Sequence, residues 1–214
     1  TIDELEKQFS NQKTQTMNEI IKTIYERRAV RKYKDKIVEK ELIDQLLDAG
    51  KMAPSAINKQ PWKFYVVTNK DYIHLFSKEI GKEALKSIPQ MGIKNIIKTA
   101  VANIPHLAHG IDFIKAPAPV FHGAPVVIFI TAPKDNEWAS LDVGMCSQNI
   151  MLAAKSVGLD TCPVGFGKFI MKTKSYSILN IPVKEQVLLS IIVGYGDETP
   201  EIHERKKDNV TYIA

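Results

Sequence analysis

Hydrophobic side chains recur at helical spacing in four segments of the chain. In the first segment, Ile20, Ile21 and Ile24 would all lie on one face of a helix. Gly81 follows the third segment, and glycine is a common residue where helices end. The pattern predicts helices over residues 18–28, 39–52, 70–80 and 138–157.

The fourth predicted helix is apolar around most of its circumference. Its apolar residues include Leu141, Met145 and Ile150, which do not share a single face. A helix of this kind lies either at the centre of its domain or in an interface between subunits. Ser140 is the residue expected to cap its first turn.

Short runs of β-branched and aromatic residues predict the strands. Two of these runs, residues 124–132 and 187–194, are continuously apolar, which is typical of strands covered on both faces. Helices and strands are interleaved along the chain, so the fold class is α/β or α+β. The other strand-like runs are residues 64–68, 161–166 and 210–213, and a polar segment predicted to be helical follows the second of them.

The sequence predicts one domain after a polar N-terminal extension. The extension is residues 1–17, and residues 18–214 contain neither a linker composition nor an internal repeat. Within this domain, residues 82–122 lack a sustained hydrophobic period and are broken by prolines. Long connections of this kind usually bind or cover a ligand, so we expect a substrate-covering lid. His106 and His109 in this region lack the further ligands of a metal site, and no metal is predicted.

Composition and charge narrow the classes of function. The chain has 214 residues, 44% of them hydrophobic, and a formal net charge of +5. No apolar run approaches the roughly 20 residues of a membrane helix, so we expect a soluble, cytoplasmic protein with no membrane partner. The basic residues are dispersed, which argues against a nucleic-acid partner and is compatible with an anionic small ligand. Cys146 and Cys162 lie among apolar residues and are expected to be buried free thiols.

An irregular loop of neutral hydrogen-bonding groups, residues 53–64, separates the second predicted helix from the first strand. Its two prolines prevent the helix from continuing. The loop presents Ser55, Asn58 and Gln60, which can donate and accept hydrogen bonds but carry no charge. Such a loop suits a neutral, planar ligand rich in heteroatoms. Taken alone, it is more typical of an ordinary connection.

Two basic clusters are candidate sites for a phosphate. Arg27, Arg28 and Arg31 lie within five residues at the end of the first predicted helix, and residues 205–207 form the second cluster. A guanidinium presents a planar fork that matches phosphate oxygens. Either cluster alone is more typical of a solvated surface.

Motifs that would carry chemistry on side chains are missing. The sequence has no P-loop, and Gly194-Tyr195-Gly196 lacks the third glycine and the following helix of a dinucleotide fingerprint. It also lacks the common nucleophile and metalloprotease signatures. Any redox or group-transfer chemistry would therefore depend on a bound cofactor.

Two motifs resemble those of the FMN-dependent nitroreductase family. Residues 27–33 read Arg-Arg-Ala-Val-Arg-Lys-Tyr, where the family commonly has Arg-Arg-Ser-x-Arg-x-Phe. Residues 53–64 read Ala-Pro-Ser-Ala-Ile-Asn-Lys-Gln-Pro-Trp-Lys-Phe, which is similar to the family's Ala-Pro-Ser-x-x-Asn-x-Gln-Pro-Trp-x-Phe. Later blocks follow in the family's order, among them Asp142-Val-Gly and Pro163-Val164-Gly165. The resemblance covers about residues 20–214.

The resemblance implies an α+β fold of three layers, in which helices flank a mixed central sheet. It also implies an intertwined homodimer that binds FMN at the interface between its subunits. The C-terminal strand would reach across onto the partner. NAD(P)H would be the co-substrate, and a small-molecule acceptor would be the second substrate.

Individual positions carry over from the family's motifs. Arg27, Arg205 and Lys207 would hold the FMN phosphate, and Arg31 would face the N1/O2 edge of the flavin. The backbone around Gly165 would donate a hydrogen bond to flavin N5. The cofactor-binding residues implied in this way are Arg27, Arg28, Ala29, Arg31, Pro54, Ser55, Ala56, Asn58, Gln60, Pro163, Val164, Gly165, Phe166, Arg205 and Lys207.

Two further points follow from the family's pattern. The loop residues from Pro54 to Asn58 would line the flavin ring and ribityl chain bound to the other subunit. Ala29 stands where the family usually has a serine, so one contact to a ribityl hydroxyl is lost or made by the backbone. This change would weaken the retention of FMN.

The expected function is that of an FMN-dependent oxidoreductase. NAD(P)H would reduce the flavin at N5 and leave, and a nitro-aromatic compound, quinone or related electron-poor acceptor would then take the electrons in the same place. This is a ping-pong mechanism in which no side chain needs to act as an acid or base. Two alternatives stay open: a same-fold enzyme of reductive dehalogenation, ene reduction or flavin breakdown, and a flavin-binding sensor or carrier without turnover.

Overall fold

The structure, a computed structural model, describes residues 18–87 and 120–213. Its α-helices are α1 (Glu19–Glu26), α2 (Lys40–Lys51), α3 (Lys70–Ser87) and α4 (Ala139–Ser156). Its strands are β1 (Lys63–Val67), β2 (Val126–Pro133), β3 (Asp160–Val164) and β4 (Glu185–Gly194). Shorter 3₁₀ segments occupy Ala56–Asn58, Gly165–Lys172 and Lys174–Leu179. The predicted extension, residues 1–17, and residues 88–119 of the predicted lid lie outside the described residues.

The four strands form one sheet in the order β1-β2-β4-β3, and each neighbouring pair is antiparallel. The register pairs Ile128 with Ile191 at the centre of the sheet, and a bulge lies between Ile130 and Thr131. A single bridge, from Ala29 to Thr161, is parallel. The predicted sheet is mixed, with parallel and antiparallel pairs. Within the described residues, parallel pairing is limited to that bridge.

Both faces of the sheet are covered, because alternate residues of β2 and β4 enter two different cores. Ile128 and Ile191 pack with α2 and α4 on one face. Phe129 and Ile192 pack on the other face with α3, Val120–Phe121 and the Gly165–Lys172 segment. This arrangement explains why both strands are continuously apolar. The prediction of an α+β fold with helices flanking the sheet is confirmed.

The helix starts follow from local hydrogen bonds. Asn18 caps α1, since its Oδ1 accepts from the backbone N–H of Ile20 at 2.9 Å. Before α4, Asn136 Oδ1 accepts from the N–H of Trp138 at 3.0 Å. The prediction that Ser140 caps this helix is wrong, because the helix already begins at Ala139.

Helix α3 runs through Gly81, where the sequence predicted its end. Its buried side continues past the glycine, since both Ile80 and Ala84 are buried. A Cβ at Gly81 would meet only Val120 Cγ2 at 3.6 Å, so the glycine fits into this packed face. Burial of the neighbouring residues therefore outweighs the roughly 1 kcal/mol cost of a glycine inside a helix.

Two predicted segments take other forms. The polar stretch after β3 is folded into 3₁₀ turns rather than an α-helix. Residues 210–213, predicted as a strand, have no regular pairing and are exposed. The described helices include none that is both long and apolar enough to cross a membrane.

Candidate functional site

The segment that carries the first arginine cluster lies along the outer edge of β3. The N–H of Val30 donates to the carbonyl of Thr161 at 3.0 Å, next to the Ala29–Thr161 bridge. Further along, the N–H of Lys34 donates to the carbonyl of Tyr195 at 2.9 Å. These backbone bonds place the arginines beside the residues that lead into Gly165.

Arg27 is the most constrained of the arginines. It is half-buried, and its Nη1 is shielded from solvent without a hydrogen-bond partner in the described part of the chain. Burial lowers the pKa of Arg27, and the positive charges of Arg28 and Arg205 lower it further. The arginine therefore combines a buried, unpaired donor with neighbouring charges of the same sign.

Arg28 points back toward its own helix. Its Nη1 donates to the carbonyl of Tyr25 at 2.5 Å and to that of Arg27 at 2.8 Å. These carbonyls are among those that a helix end leaves unpaired. Arg28 thus stabilises the end of α1 and adds positive charge beside Arg27.

Arg31 and the C-terminal basic residues are exposed. The backbone N–H of Arg31 donates to the Glu198 carboxylate at 2.5 Å, and its Nη1 approaches the carbonyl of Ala29 at 3.4 Å. Arg205 Nη1 donates to the carbonyl of His203 at 2.8 Å. Lys207 lies in the same exposed tail as Arg205. The charge of Arg205 helps to lower the pKa of Arg27, so the structure links one residue of the second cluster to the first.

The neutral loop forms a tight turn held by its own polar groups. Ser55 Oγ accepts from the N–H of Gln60 at 2.9 Å, and Gln60 Nε2 donates to Asn58 Oδ1 at 3.0 Å. Ile57, Asn58 and Gln60 have φ of 46°, 55° and 46°, in the left-handed region that β-branched residues rarely adopt. Pro54, at the start of the loop, is exposed.

Asp142 anchors this loop and is a residue that sequence reasoning missed as part of the site. It is 1% exposed, and its Oδ1 accepts from the N–H of Ala56 at 3.1 Å. Its Oδ2 is buried without a partner in the residues described. A carboxylate in the first turn of the apolar helix α4 is the signal that could have identified it, since buried carboxylates are rare unless paired.

The turn after β3 is open on one side. Ser190 Oγ donates to the carbonyl of Val164 at 3.0 Å and fixes the end of the strand. Pro163, Gly165 and Phe166 are exposed, while Val164 is buried. A Cβ at Gly165 would meet nothing within 4 Å, and its φ is not in the left-handed region.

The predicted site residues therefore fall into two groups within one chain. One contains Arg27, Ala29 and Arg31 beside the β3 turn, with the buried Cys162 close enough that Arg31 and Arg27 partly offset the rise in its pKa caused by burial. The other group is the loop around Ser55, which Asp142 attaches to α4. Among the described residues, no hydrogen bond or ion pair joins the two groups.

Replacing Asp142 with alanine is expected to lower the free energy of unfolding by about 1–3 kcal/mol, because the Ala56 N–H loses its acceptor. Asp142→Asn keeps an oxygen at the same place and should recover part of the loss. Asp48→Ala removes an exposed carboxylate from α2 and serves as the control, with an expected effect within about 0.5 kcal/mol. Urea unfolding measures all three, and an alanine variant as stable as the parent would show that the contact is not needed.

The Nitroreductase family model matches residues 24–195 of this chain. A candidate NADH dehydrogenase/NAD(P)H nitroreductase of Methanothermobacter thermautotrophicus is 31% identical over 190 residues, covering 85% of this chain and 80% of that relative. The 4-nitrobenzoate reductase of Pseudomonas putida is 26% identical over 202 residues, covering 83% of this chain and 85% of that relative.

Solved structures share the fold. A nitroreductase with bound FMN from Desulfitobacterium hafniense superposes with a TM-score of 0.73 at 25% identity, covering 93% of this chain and all of that one. A nitroreductase with bound FMN from Bacteroides fragilis also gives a TM-score of 0.73, at 22% identity and 92% coverage of this chain. Since the family model spans most of the sequence and the fold agrees, the chain belongs to the nitroreductase family of oxidoreductases, as its motifs predicted.

Proposed function

We propose that two copies of this chain bind FMN between them and use it to transfer electrons from NAD(P)H to a small, electron-poor acceptor. The observation that carries the proposal is Arg27, whose Nη1 is buried without an acceptor in the described structure. A buried donor without a partner is costly. The site therefore suits an anion that the chain itself does not supply.

The charges around Arg27 fit the phosphate of FMN. Arg28 and Arg205 both act on Arg27 with charges of the same sign. Their mutual repulsion is relieved by a phosphate, which accepts several charge-assisted hydrogen bonds. Arg27 and Arg205 are the residues that would hold it, and Lys207 would add charge from the same tail.

The turn at Gly165 fits the flavin ring. The backbone φ at Gly165 is not in the left-handed region, so the conformation does not require a glycine. A Cβ there would meet nothing within 4 Å, so packing within the chain does not require one either. The absence of a side chain leaves the backbone accessible to a planar ligand. The Val164–Phe166 backbone would then supply the hydrogen bond to flavin N5, and the adjoining Pro163 would border the ring.

The neutral loop fits the uncharged part of the cofactor. Ser55, Asn58 and Gln60 carry no charge, and the Asp142 contact holds Ala56 in place. Since no hydrogen bond or ion pair among the described residues joins this loop to Arg27, we assign it, with Pro54, to the FMN bound by the partner. Ala29, which bridges to Thr161 through its backbone, contributes no side-chain hydroxyl.

Bound FMN would supply the redox chemistry, as an acceptor of hydride from NAD(P)H and a donor of electrons to the second substrate. The chain positions the reactants and stabilises charge. Arg31 would supply positive charge for the N1/O2 edge of the ring: its backbone N–H donates to Glu198, and its Nη1 approaches the carbonyl of Ala29. The opening at Gly165 would be used by both substrates in turn, which is ping-pong kinetics.

The acceptor class follows from the chemistry of the relatives. One curated relative is a 4-nitrobenzoate reductase, and another, from Comamonas testosteroni, is a chloronitrobenzene nitroreductase that is 28% identical over 214 residues. Nitro-aromatic compounds are therefore the first acceptors to test, with quinones beside them. The lid assigned to residues 82–122 would choose among them.

The helices support the assignment of a homodimer. In the described structure no residue of α1 is buried, and the apolar face of this helix is exposed, with Ile20 at 68%. On α4, Leu141, Gly144 and Gln148 form an exposed row at spacings of three and four residues. Gly144 has open space above it, so a second helix could approach closely. A second copy of the chain would cover these surfaces.

The C-terminal tail and the sheet edge support the same assembly. Strand β1 is at an edge of the sheet, and a groove beside it is lined by residues of β1 together with Lys51, Gln60 and Trp62. The tail is exposed and contains apolar residues, with Tyr212 at 93% exposure. An unpaired edge readily accepts another strand. The tail of one copy would lie along β1 of the other.

The proposed reaction is tested first by the colour of the purified protein. We expect it to bind FMN, to lose its flavin absorbance when NADH or NADPH is added without oxygen, and to regain it with nitrobenzene or a quinone. A protein that takes up no FMN would refute the proposal. A flavin that stays oxidised with both nucleotides would identify a carrier instead of an enzyme.

Replacing Arg27 with alanine is expected to weaken FMN binding by at least about tenfold, because a charge-assisted hydrogen bond to the phosphate is lost. Lys78→Ala removes the same charge from an exposed position on α3 and should leave FMN affinity unchanged. Fluorescence titration of FMN into the apoprotein measures both variants. Equal affinities would contradict the phosphate assignment.

Charges placed on the apolar face of α1 should both separate the subunits and release FMN. We expect Ile20→Lys/Ile24→Lys to sediment as a monomer with little bound flavin, because two ammonium groups cannot be buried in an apolar interface without great cost. Val183→Lys, at a position 88% exposed in a turn, is the control. A double variant that remains a dimer, or a monomer that holds FMN as tightly as the parent, would refute the shared site.

A further inference from the structure

The segment after the Gly165 turn is a 3₁₀ helix, and its period sorts the side chains into rows. Residues three apart lie above one another in such a helix. Gly167 and Ile170 form the buried row, and Ile170 is 0% exposed. Phe166, Phe169 and Lys172 form a second row, in which Phe166 and Lys172 are exposed and Phe169 is half-buried. This row begins directly beside the opening at Gly165.

The second row combines aromatic rings with positive charge. The rings of Phe166 and Phe169 stack with centroids 6.0 Å apart and planes 25° from parallel, and Phe166 is 44% exposed. Lys172 Nζ lies 5.2 Å from the centroid of the Phe169 ring, and Lys168 Nζ lies 5.9 Å from it. Both distances are within the range of cation–π contacts. These four residues form what we call the aromatic–lysine patch.

The two lysines of the patch differ in their ion pairing from other lysines in the described part of the chain. Among the described residues, neither Lys168 nor Lys172 forms an ion pair, whereas Lys63 and Lys155 pair with Glu185 and Asp160. The nearby carboxylate of Glu79, on α3, accepts from the backbone N–H of Ser175 at 3.0 Å. The patch thus keeps two positive charges beside an exposed ring.

The rows also place one charge near the opening. Lys168 is three residues after Gly165 and lies above it, one turn or about 6 Å along the 3₁₀ axis. The space in front of Gly165 is open. A planar ligand at the opening would therefore have an ammonium group at one side and the Phe166 ring at its border.

We infer that the aromatic–lysine patch binds the anionic group of a planar substrate that enters at Gly165. Two substrates carry such a group: an acceptor with a carboxylate or sulfonate on its ring, and NAD(P)H with its phosphates. The inference deepens the proposed function, on which it rests for the position of the flavin. It makes Lys168 and Lys172 determinants of specificity rather than of the chemical step.

The test compares an anionic ligand with a neutral one of the same shape. Benzoate and benzamide are titrated into the purified holoprotein by calorimetry, for the parent and for Lys168→Gln/Lys172→Gln. We expect the double variant to bind benzoate about 5- to 30-fold more weakly, as the loss of two partly exposed charge contacts predicts. Benzamide binding should not change. Lys134→Gln/Lys184→Gln, which removes two exposed lysines outside the patch, is the matched control and should bind benzoate like the parent.

Steady-state kinetics then identify which substrate uses the patch. A higher KM for 4-nitrobenzoate with an unchanged KM for NAD(P)H assigns the patch to the acceptor, and the reverse result assigns it to the dinucleotide. Benzoate binding that is equal in the parent and the double variant, with both KM values unchanged, would overturn the inference.

The proposed function is judged separately, from FMN content and the turnover of uncharged nitrobenzene. If the protein binds FMN and turns over nitrobenzene, but its affinity for benzoate is the same with and without the two lysines, the inference fails alone. If FMN is not bound at all, the proposed function fails, and calorimetry still reports whether benzoate needs the two lysines. If benzoate binding depends on them, the proposed function fails alone. If it does not, both fail.

Discussion

The antiparallel pairing of β2 with β4 is the constraint on which the rest of the molecule depends. Both strands are buried on both faces, so the sheet must be covered by a layer on each side. Helices α2 and α4 form one layer, and α3 with the 3₁₀ segments forms the other. Once these two strands occupy the centre, β3 and β1 become the edges. Among the described residues, the arginine segment and the Gly165 turn lie at the β3 edge, and the neutral loop leads into β1.

The two edges are used differently. The edge of β3 is closed by the chain itself, since Val30 pairs with Thr161 and the arginine segment follows it. This contact determines that Arg27 lies beside a buried thiol and next to the Gly165 turn, although 138 positions of sequence separate Arg27 from Gly165. The edge of β1 remains open in a single chain and carries a groove. One edge thus assembles the cationic half of the candidate site, while the other is left for a second copy under the proposed assembly.

The sequence predicted helices and strands well where burial imposes a hydrophobic pattern on the chain. It predicted element ends and individual contacts less well, because these depend on single residues. The apolar runs of β2 and β4 could be predicted because both faces need hydrophobic side chains. The end of α3 could not, because the packing of Ile80 and Ala84 overrides the glycine between them. Within the arginine cluster, composition could not separate Arg27 from Arg28, since only the fold shows which guanidinium caps α1. Asp142 was missed for a related reason: its partner, Ala56, is 86 residues away, and no local pattern reveals the contact.

The separation of charge in the candidate site has a consequence for assembly. The cationic group near Arg27 and the neutral loop near Ser55 are each internally organised, the first through β3 and the second through Asp142. Neither is complete as a site for a ligand with a phosphate at one end and a planar ring at the other. If the two halves come from different chains, as we propose, the ligand contacts both copies and stabilises the dimer, while dimerisation raises affinity for the ligand. Because the two equilibria are linked, neither can be weakened without weakening the other. Burial of the α1 and α4 faces would then serve cofactor retention as much as folding.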